Sequence, residues 1–164
     1  MEYVKRGIRV MKSSQSYFKD CDFSSIKNSL VILDIDGTIV PHNGTEVLPD
    51  ELNQINFLKE NNNRIVIVSN NVDQRRNESI AQALDVECIE TGYRKPDVRA
   101  IGKLVAQYSS QSLFVIGDKM LTDGLFAKKL GGVFWGVENL RSKEDSLGVR
   151  IFYFIDRMSQ KIFY

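Results

Sequence analysis

The sequence predicts an α/β fold, a three-layer arrangement in which a parallel sheet of about five strands carries helices on both faces. Three observations predict it: short apolar β-branched runs recur along the chain, helically spaced stretches separate them, and polar or acidic residues stand where the runs end. The runs VILDID (31–36), RIVIVS (64–69), LFVIG (113–117) and VFWGV (133–137) suit strands buried on both faces, and VECIE (86–90) is a weaker fifth. Between them, four sets repeat at helical spacing: Leu52, Ile55 and Leu58; Ile80, Ala81 and Leu84; Val98, Ile101, Leu104 and Val105; and Leu125, Phe126 and Leu130. Each lays one apolar stripe on the sheet. Pro49 and Asp50 open the first helix, Pro96 stands where the third can begin, and Gly131 with Gly132 stops the fourth.

At 164 residues and 43% hydrophobic content the chain is expected to form one domain. It divides into an N-terminal extension (1–29), a central body (30–140) and a C-terminal amphipathic helix (148–164). The first fifteen residues scatter their apolar groups without a clean period and predict no element. In the last stretch Ile151, Phe154, Ile155, Met158 and Ile162 share one helical face, while Arg150, Arg157 and Lys161 lie elsewhere. Such a face packs on the body, on a second subunit, or in a membrane interface. A formal net charge of +1 provides no field for gathering polyanions, which disfavours nucleic acid as a partner. Two cysteines, Cys21 and Cys88, without C-x-x-C spacing, point to a reducing, cytoplasmic setting. Neither a secretory signal nor a run of about eighteen apolar residues is present.

The chemistry-bearing residues stand at the strand ends, where open α/β sheets bind ligands. DIDGT places Asp34 and Asp36 one residue apart in extended chain, hence on one side. Read alone, D-x-D-G is a solvated turn with Gly37 at positive φ; the strand before it and the partners below favour a site. After LFVIG come Asp118 and, about a turn later, Asp123. Crowded carboxylates stay ionised together mainly when a cation compensates them, and hard oxygen donors suit Mg²⁺. Asp118 read alone caps the next helix, and Asp123 fits a supporting place better than direct ligation. Ser69 and Asn70 end RIVIVS and offer a hydroxyl and backbone N–H groups to phosphoryl oxygens. Lys95, in RKPD, offers a cation. His42, in the loop after DIDGTIV, is an exposed loop residue unless it faces the substrate.

Taken in order, DIDGT, Ser-Asn, Lys-Pro and GD-x-x-x-x-D resemble the four motifs of the haloacid dehalogenase (HAD) phosphatases, over residues 30 to 137. VSNN with an arginine-containing helix, KP, GDKMLTD and a Gly-Gly before the last strand look like subfamily IIIA, which holds the YqeG-type proteins and the phosphatidylglycerophosphate phosphatases. Gly37 follows Asp36 as in the superfamily at large, where that group often has Asn.

The resemblance implies a Rossmann-like fold and a Mg²⁺-dependent phosphomonoesterase. Asp34 is then the nucleophile and Asp36 the general acid and base. Thr38, Ser69, Asn70 and Lys95 grip the phosphoryl group, and Mg²⁺ sits on Asp34, the Asp36 carbonyl and Asp118, with Asp123 behind. The connections 38–69 and 69–95 leave no room for a cap domain, so the substrate is expected to be large, surface-presented or covered by another subunit. A phospholipid head group is one candidate, with peripheral membrane contact through 150–164. The alternative is a non-catalytic, phosphate-binding scaffold serving a protein partner.

Overall fold

The computed structural model describes residues 2–5, 8–12, 16–108, 111–141, 147, 148, 151, 154–156 and 158. Among the described residues seven strands form one sheet: β1 (Glu2–Lys5), β2 (Ile8–Lys12), β3 (Ser29–Leu33), β4 (Arg64–Ile67), β5 (Glu87–Cys88), β6 (Ser112–Gly117) and β7 (Val133–Gly136), in spatial order β1-β2-β7-β6-β3-β4-β5. All neighbouring pairs are parallel except β1 and β2. The five strands read from the sequence are those from β3 to β7.

The first fifteen residues add what their pattern did not announce. β2 extends the sheet beside β7, with Arg9 opposite Val133, and β1 folds back antiparallel on β2. An edge strand is recruited through main-chain hydrogen bonds, so a blurred side-chain period does not prevent it.

β3 lies at the centre, and its five residues are all buried. Alternation sends Val31 and Leu33 into one core with Phe18, Phe23, Ile55, Leu58, Ile80 and Leu84, and Leu30 and Ile32 into another with Val66, Ile101, Val115, Phe126 and Phe134. Helices α1 (Pro49–Glu60) and α2 (Gln74–Leu84) cover the first face; α3 (Gly102–Gln107) and α4 (Leu125–Leu130) cover the second. Pro49 starts α1 at a position where its missing N–H costs nothing. Asp73 caps α2 by accepting the Arg76 N–H, and Gly131, at φ 71°, ends α4. The third predicted helix is shorter than its stripe, because a 3₁₀ turn (Val98–Ala100) takes its first residues.

Between Thr38 and Ser69 the chain makes one loop, α1 and β4; between Ser69 and Lys95, α2 and β5. No cap domain is inserted there. Of the C-terminal stretch, Leu147, Gly148, Ile151, Phe154 to Asp156 and Met158 are helical. Ile151, Phe154, Ile155 and Met158 are exposed, so this apolar face does not pack on the body; Asp156 does. Arg150, Arg157, Lys161 and Ile162 lie outside the described residues.

Candidate active site

Asp34 and Asp118 follow the last residues of two adjacent central strands, β3 and β6, so the topology alone sets them side by side. Lys95 arrives from the loop after β5, and Asp123 from one turn of π-helix (Met120–Gly124) just past β6. Single π-turns recur at functional sites because the extra residue re-aims a side chain. Ligand oxygens of Asp34, Asp118 and Asp123, all buried, lie within 4.8 Å of one another.

Two ammonium groups hold this acid cluster. Lys95 Nζ lies 2.5 Å from Asp34 Oδ1 and 2.7 Å from Asp123 Oδ1, with 1% of its side chain exposed. Lys119 Nζ donates to Asp118 Oδ1 at 2.7 Å, Asp118 Oδ2 at 2.9 Å and the Asp36 carbonyl at 2.8 Å. It therefore spans two of the three groups assigned to Mg²⁺ from the resemblance. Burial works against the Lys95 ammonium, but the Asp123 and Asp34 charges outweigh it and raise its pKa. Burial likewise works against ionised Asp34, and here Lys95 and Lys119 prevail, so its pKa is lowered. Asp118 is pushed up to about 7 by burial, with Asp34 and Asp123 adding to it against Lys119. Asp123 is raised as well, chiefly by burial. Three buried acids against two lysines leave room for further positive charge, and oxygen donors of this kind fit a divalent cation.

The Asp36 carboxylate lies outside this acid cluster but on the wall of the same cleft as Asp34. Arg76, from the first turn of α2, clasps it in a fork, Nη2 to Oδ1 at 2.9 Å and Nη1 to Oδ2 at 3.2 Å. The Asn43 N–H adds a bond to Oδ1 at 2.8 Å, and Asn71 Nδ2 one to Oδ2 at 3.3 Å. Arg76 is itself steadied by the Gly44 carbonyl, 2.7 Å from Nε. Such a fork fixes both position and orientation of the carboxylate. His42 Nδ1 stands 3.8 Å from Asp36 Oδ1. A cleft of about 450 Å³ opens here, walled by Asp34, Asp36, His42, Arg94, Lys95 and Lys119 among others.

Three residues expected to grip phosphate have protein partners in the structure. Thr38, fully buried, donates its hydroxyl to Asp34 Oδ2 at 3.3 Å. The Asn70 side chain brackets Lys95, accepting its N–H at 2.7 Å and donating to its carbonyl at 3.0 Å. Ser69 Oγ accepts the Asn71 N–H and lines an adjoining cavity of about 530 Å³, outside the acidic cleft. Short side chains at a strand-to-helix turn satisfy nearby main chain first.

Sequence reasoning passed over Arg76, Lys119 and Asn139. Asn139 donates to Asp118 Oδ2, and the two glycines of the motif strands make the packing possible. A Cβ at Gly37 (φ 85°) would stand 2.3 Å from both Asp118 Oδ2 and Asn139 Nδ2, and one at Gly117 would stand 2.5 Å from the Asp123 carboxyl carbon. Gly37→Ala is expected to cost about 1–3 kcal/mol in backbone strain alone, and to shift Asp118. Denaturant unfolding with a turnover assay checks this; wild-type values in both would remove the close-approach argument.

No curated protein and no solved structure matches the chain. The model of the family described as mitochondrial PGP phosphatase does match, over residues 18–139. That stretch begins at Phe18 in the first core and ends at Asn139 beside Asp118, so the chain belongs to the mitochondrial PGP phosphatase family.

Proposed function

We propose that the protein hydrolyses a phosphomonoester on a phospholipid head group, phosphatidylglycerophosphate by the family's description, through an aspartyl-phosphate on Asp34. The observation that carries the reading is the Asp34 carboxylate at the central strand end, held by Lys95 and Thr38 with Asp118 and Asp123 beside it. An Asp34 oxygen attacks phosphorus, the bond from phosphorus to the ester oxygen breaks, and the departing alkoxide takes a proton from Asp36. A water then attacks the same phosphorus, gives its proton to Asp36, and inorganic phosphate leaves Asp34 free. Arg76 keeps Asp36 aimed through both halves. Lys95 offsets charge on the phosphoryl oxygens while neutralising Asp34.

Asp34, Asp118 and the Asp36 carbonyl are the groups that would hold Mg²⁺, which would offset negative charge on the phosphoryl group. The absence of a cap fits a substrate too large to be enclosed or one borne on a surface. Cys21 and Cys88 as thiols fit a reducing aqueous compartment. Among the described residues no helix is long and apolar enough to cross a membrane.

The test is release of phosphate from p-nitrophenyl phosphate and from phosphatidylglycerophosphate, with Mg²⁺ and with EDTA. Mg²⁺-dependent turnover of both is expected; no turnover of either with Mg²⁺ returns the chain to the scaffold alternative. Metal binding is also expected to depend on pH. Asp118 holds its proton in the folded state up to about pH 7, above the ordinary carboxylate value. Without metal, folding therefore takes up protons, and stability from this group is present at low pH and lost as pH rises toward about 7. Mg²⁺ needs the deprotonated form, so its stabilisation grows over the same window. Melting curves should show a larger Mg²⁺ shift at about pH 8 than at about pH 6. Lys119→Gln, which removes the ammonium from Asp118 and the Asp36 carbonyl, should tighten Mg²⁺ binding in calorimetry; unchanged affinity would mean that Lys119 does not compete.

A further inference from the structure

Of the ten large hydrophobic side chains exposed among the described residues, five lie between 147 and 158. They are Leu147 (74% exposed), Ile151 (51%), Phe154 (66%), Ile155 (51%) and Met158 (47%). At about 100° per helical residue they fall on one stripe about 100° wide, and Asp156 falls on the opposite side. Asp156 is 2% exposed and accepts the N–H groups of Met120 at 3.0 Å and Leu121 at 2.8 Å. Those two residues open the π-turn that carries Asp123, and Lys119 and Thr122 beside and within that turn line the acidic cleft. The segment is thus anchored to a wall of the site by its polar side, while its apolar side faces water.

We infer that this stripe is a docking surface for an anionic lipid interface, and that Asp156 ties the docked segment to the π-turn beside the cleft. The substrate class rests on the lipid phosphate reading above; the surface itself does not. Charge selects the occupant. From 147 to 164 the sequence carries Arg150, Arg157 and Lys161, and its sole acid is the Asp156 that faces the body. An apolar stripe in a cationic segment matches the boundary between acyl chains and anionic head groups. A second copy is a poorer occupant, because a two-fold contact would set the same three cations against themselves. With no cap above the cleft, a lipid surface held at this segment can present a head-group phosphate directly.

The experiment is co-sedimentation of the full chain with vesicles of phosphatidylcholine, with and without phosphatidylglycerol, carried out with Asp34→Asn as well as wild type. Both are expected to bind the anionic vesicles and to leave pure phosphatidylcholine largely alone. Phe154→Glu with Ile155→Glu, at two exposed positions, should lower the bound fraction about tenfold with an unchanged melting temperature. A wild-type protein that ignores anionic vesicles overturns the inference, as does equal binding by the double variant. So does light scattering that finds a dimer dissolved by the double variant, since the occupant is then a second copy. Asp34→Asn separates the two readings: vesicle binding without turnover of any phosphomonoester by wild type leaves the surface standing and removes the phosphatase. For the coupling, Asp156→Asn should lower kcat on p-nitrophenyl phosphate and weaken Mg²⁺ binding in calorimetry. Wild-type values for both would reduce Asp156 to an anchor and overturn that part.

Discussion

Asp34→Asn is expected to lower turnover by about 10⁴-fold or more and to lower modestly the stability of the metal-free protein at neutral pH. The activity loss follows from chemistry: an amide oxygen is a far poorer nucleophile than the carboxylate that Lys95 and Thr38 hold in place. The stability argument is electrostatic. Lys95 and Lys119 outweigh burial and lower the Asp34 pKa, so the folded site favours its charge, and its repulsion of Asp118 and Asp123 offsets part of that gain. An uncharged amide relieves that repulsion but forfeits the ion pair with Lys95, and the loss stays modest because Lys95 keeps its second partner, Asp123, at 2.7 Å. Turnover of p-nitrophenyl phosphate with Mg²⁺ and melting in EDTA measure the two effects. Activity retained within about tenfold would remove Asp34 as nucleophile. A raised melting temperature would show instead that repulsion from Asp118 and Asp123 outweighs the Lys95 pairing.

The acids of the site were legible in the sequence because strand ends in a parallel sheet share one edge. Asp34 and Asp118 need only adjacent strands to meet, and the runs before them mark those strands plainly. Arg76 was not legible: it stands in QRRNES beside Arg75, and composition alone does not say which arginine is buried. The discriminating fact is register, since Asp73 caps α2 and sets Arg76 in its first turn, facing the DIDGT loop. Lys119 reads as a solvated neighbour of Asp118 until the fold brings the Asp36 carbonyl within 2.8 Å. Asn139 depends on β7 lying beside β6, a long-range fact. Thr38 and Asn70 were recognised as site residues but with different partners, because hydrogen bonds to Asp34 and to the Lys95 main chain were available locally. The N-terminal hairpin was missed for a simpler reason: main-chain pairing at a sheet edge leaves little trace in side-chain pattern.

Lys95→Met should have the largest effect on stability, about 3–5 kcal/mol at neutral pH without metal. Methionine fills most of the volume but leaves Asp34 and Asp123, both buried, without the ammonium that lies within 2.7 Å of each. Lys119 still acts on both, but its hydrogen bonds go to Asp118 and the Asp36 carbonyl. Burial already lifts the pKa of Asp123 with Lys95 present, so in the variant both acids should hold protons well above the ordinary carboxylate range. Folded Lys95→Met then binds more protons than its unfolded chain, and by linkage its stability falls as pH rises from about 4. The deficit against wild type should therefore be small in mild acid and largest at neutral pH and above. Denaturant unfolding in EDTA at about pH 5 and about pH 8 reads this directly, since only the pH series separates lost charge pairing from lost packing. A pH-independent deficit would assign Lys95 to packing. Mg²⁺ should recover part of the loss at high pH by supplying charge to Asp34 and Asp118, yet turnover should stay depressed, because the cation does not replace an ammonium aimed at the phosphoryl oxygens.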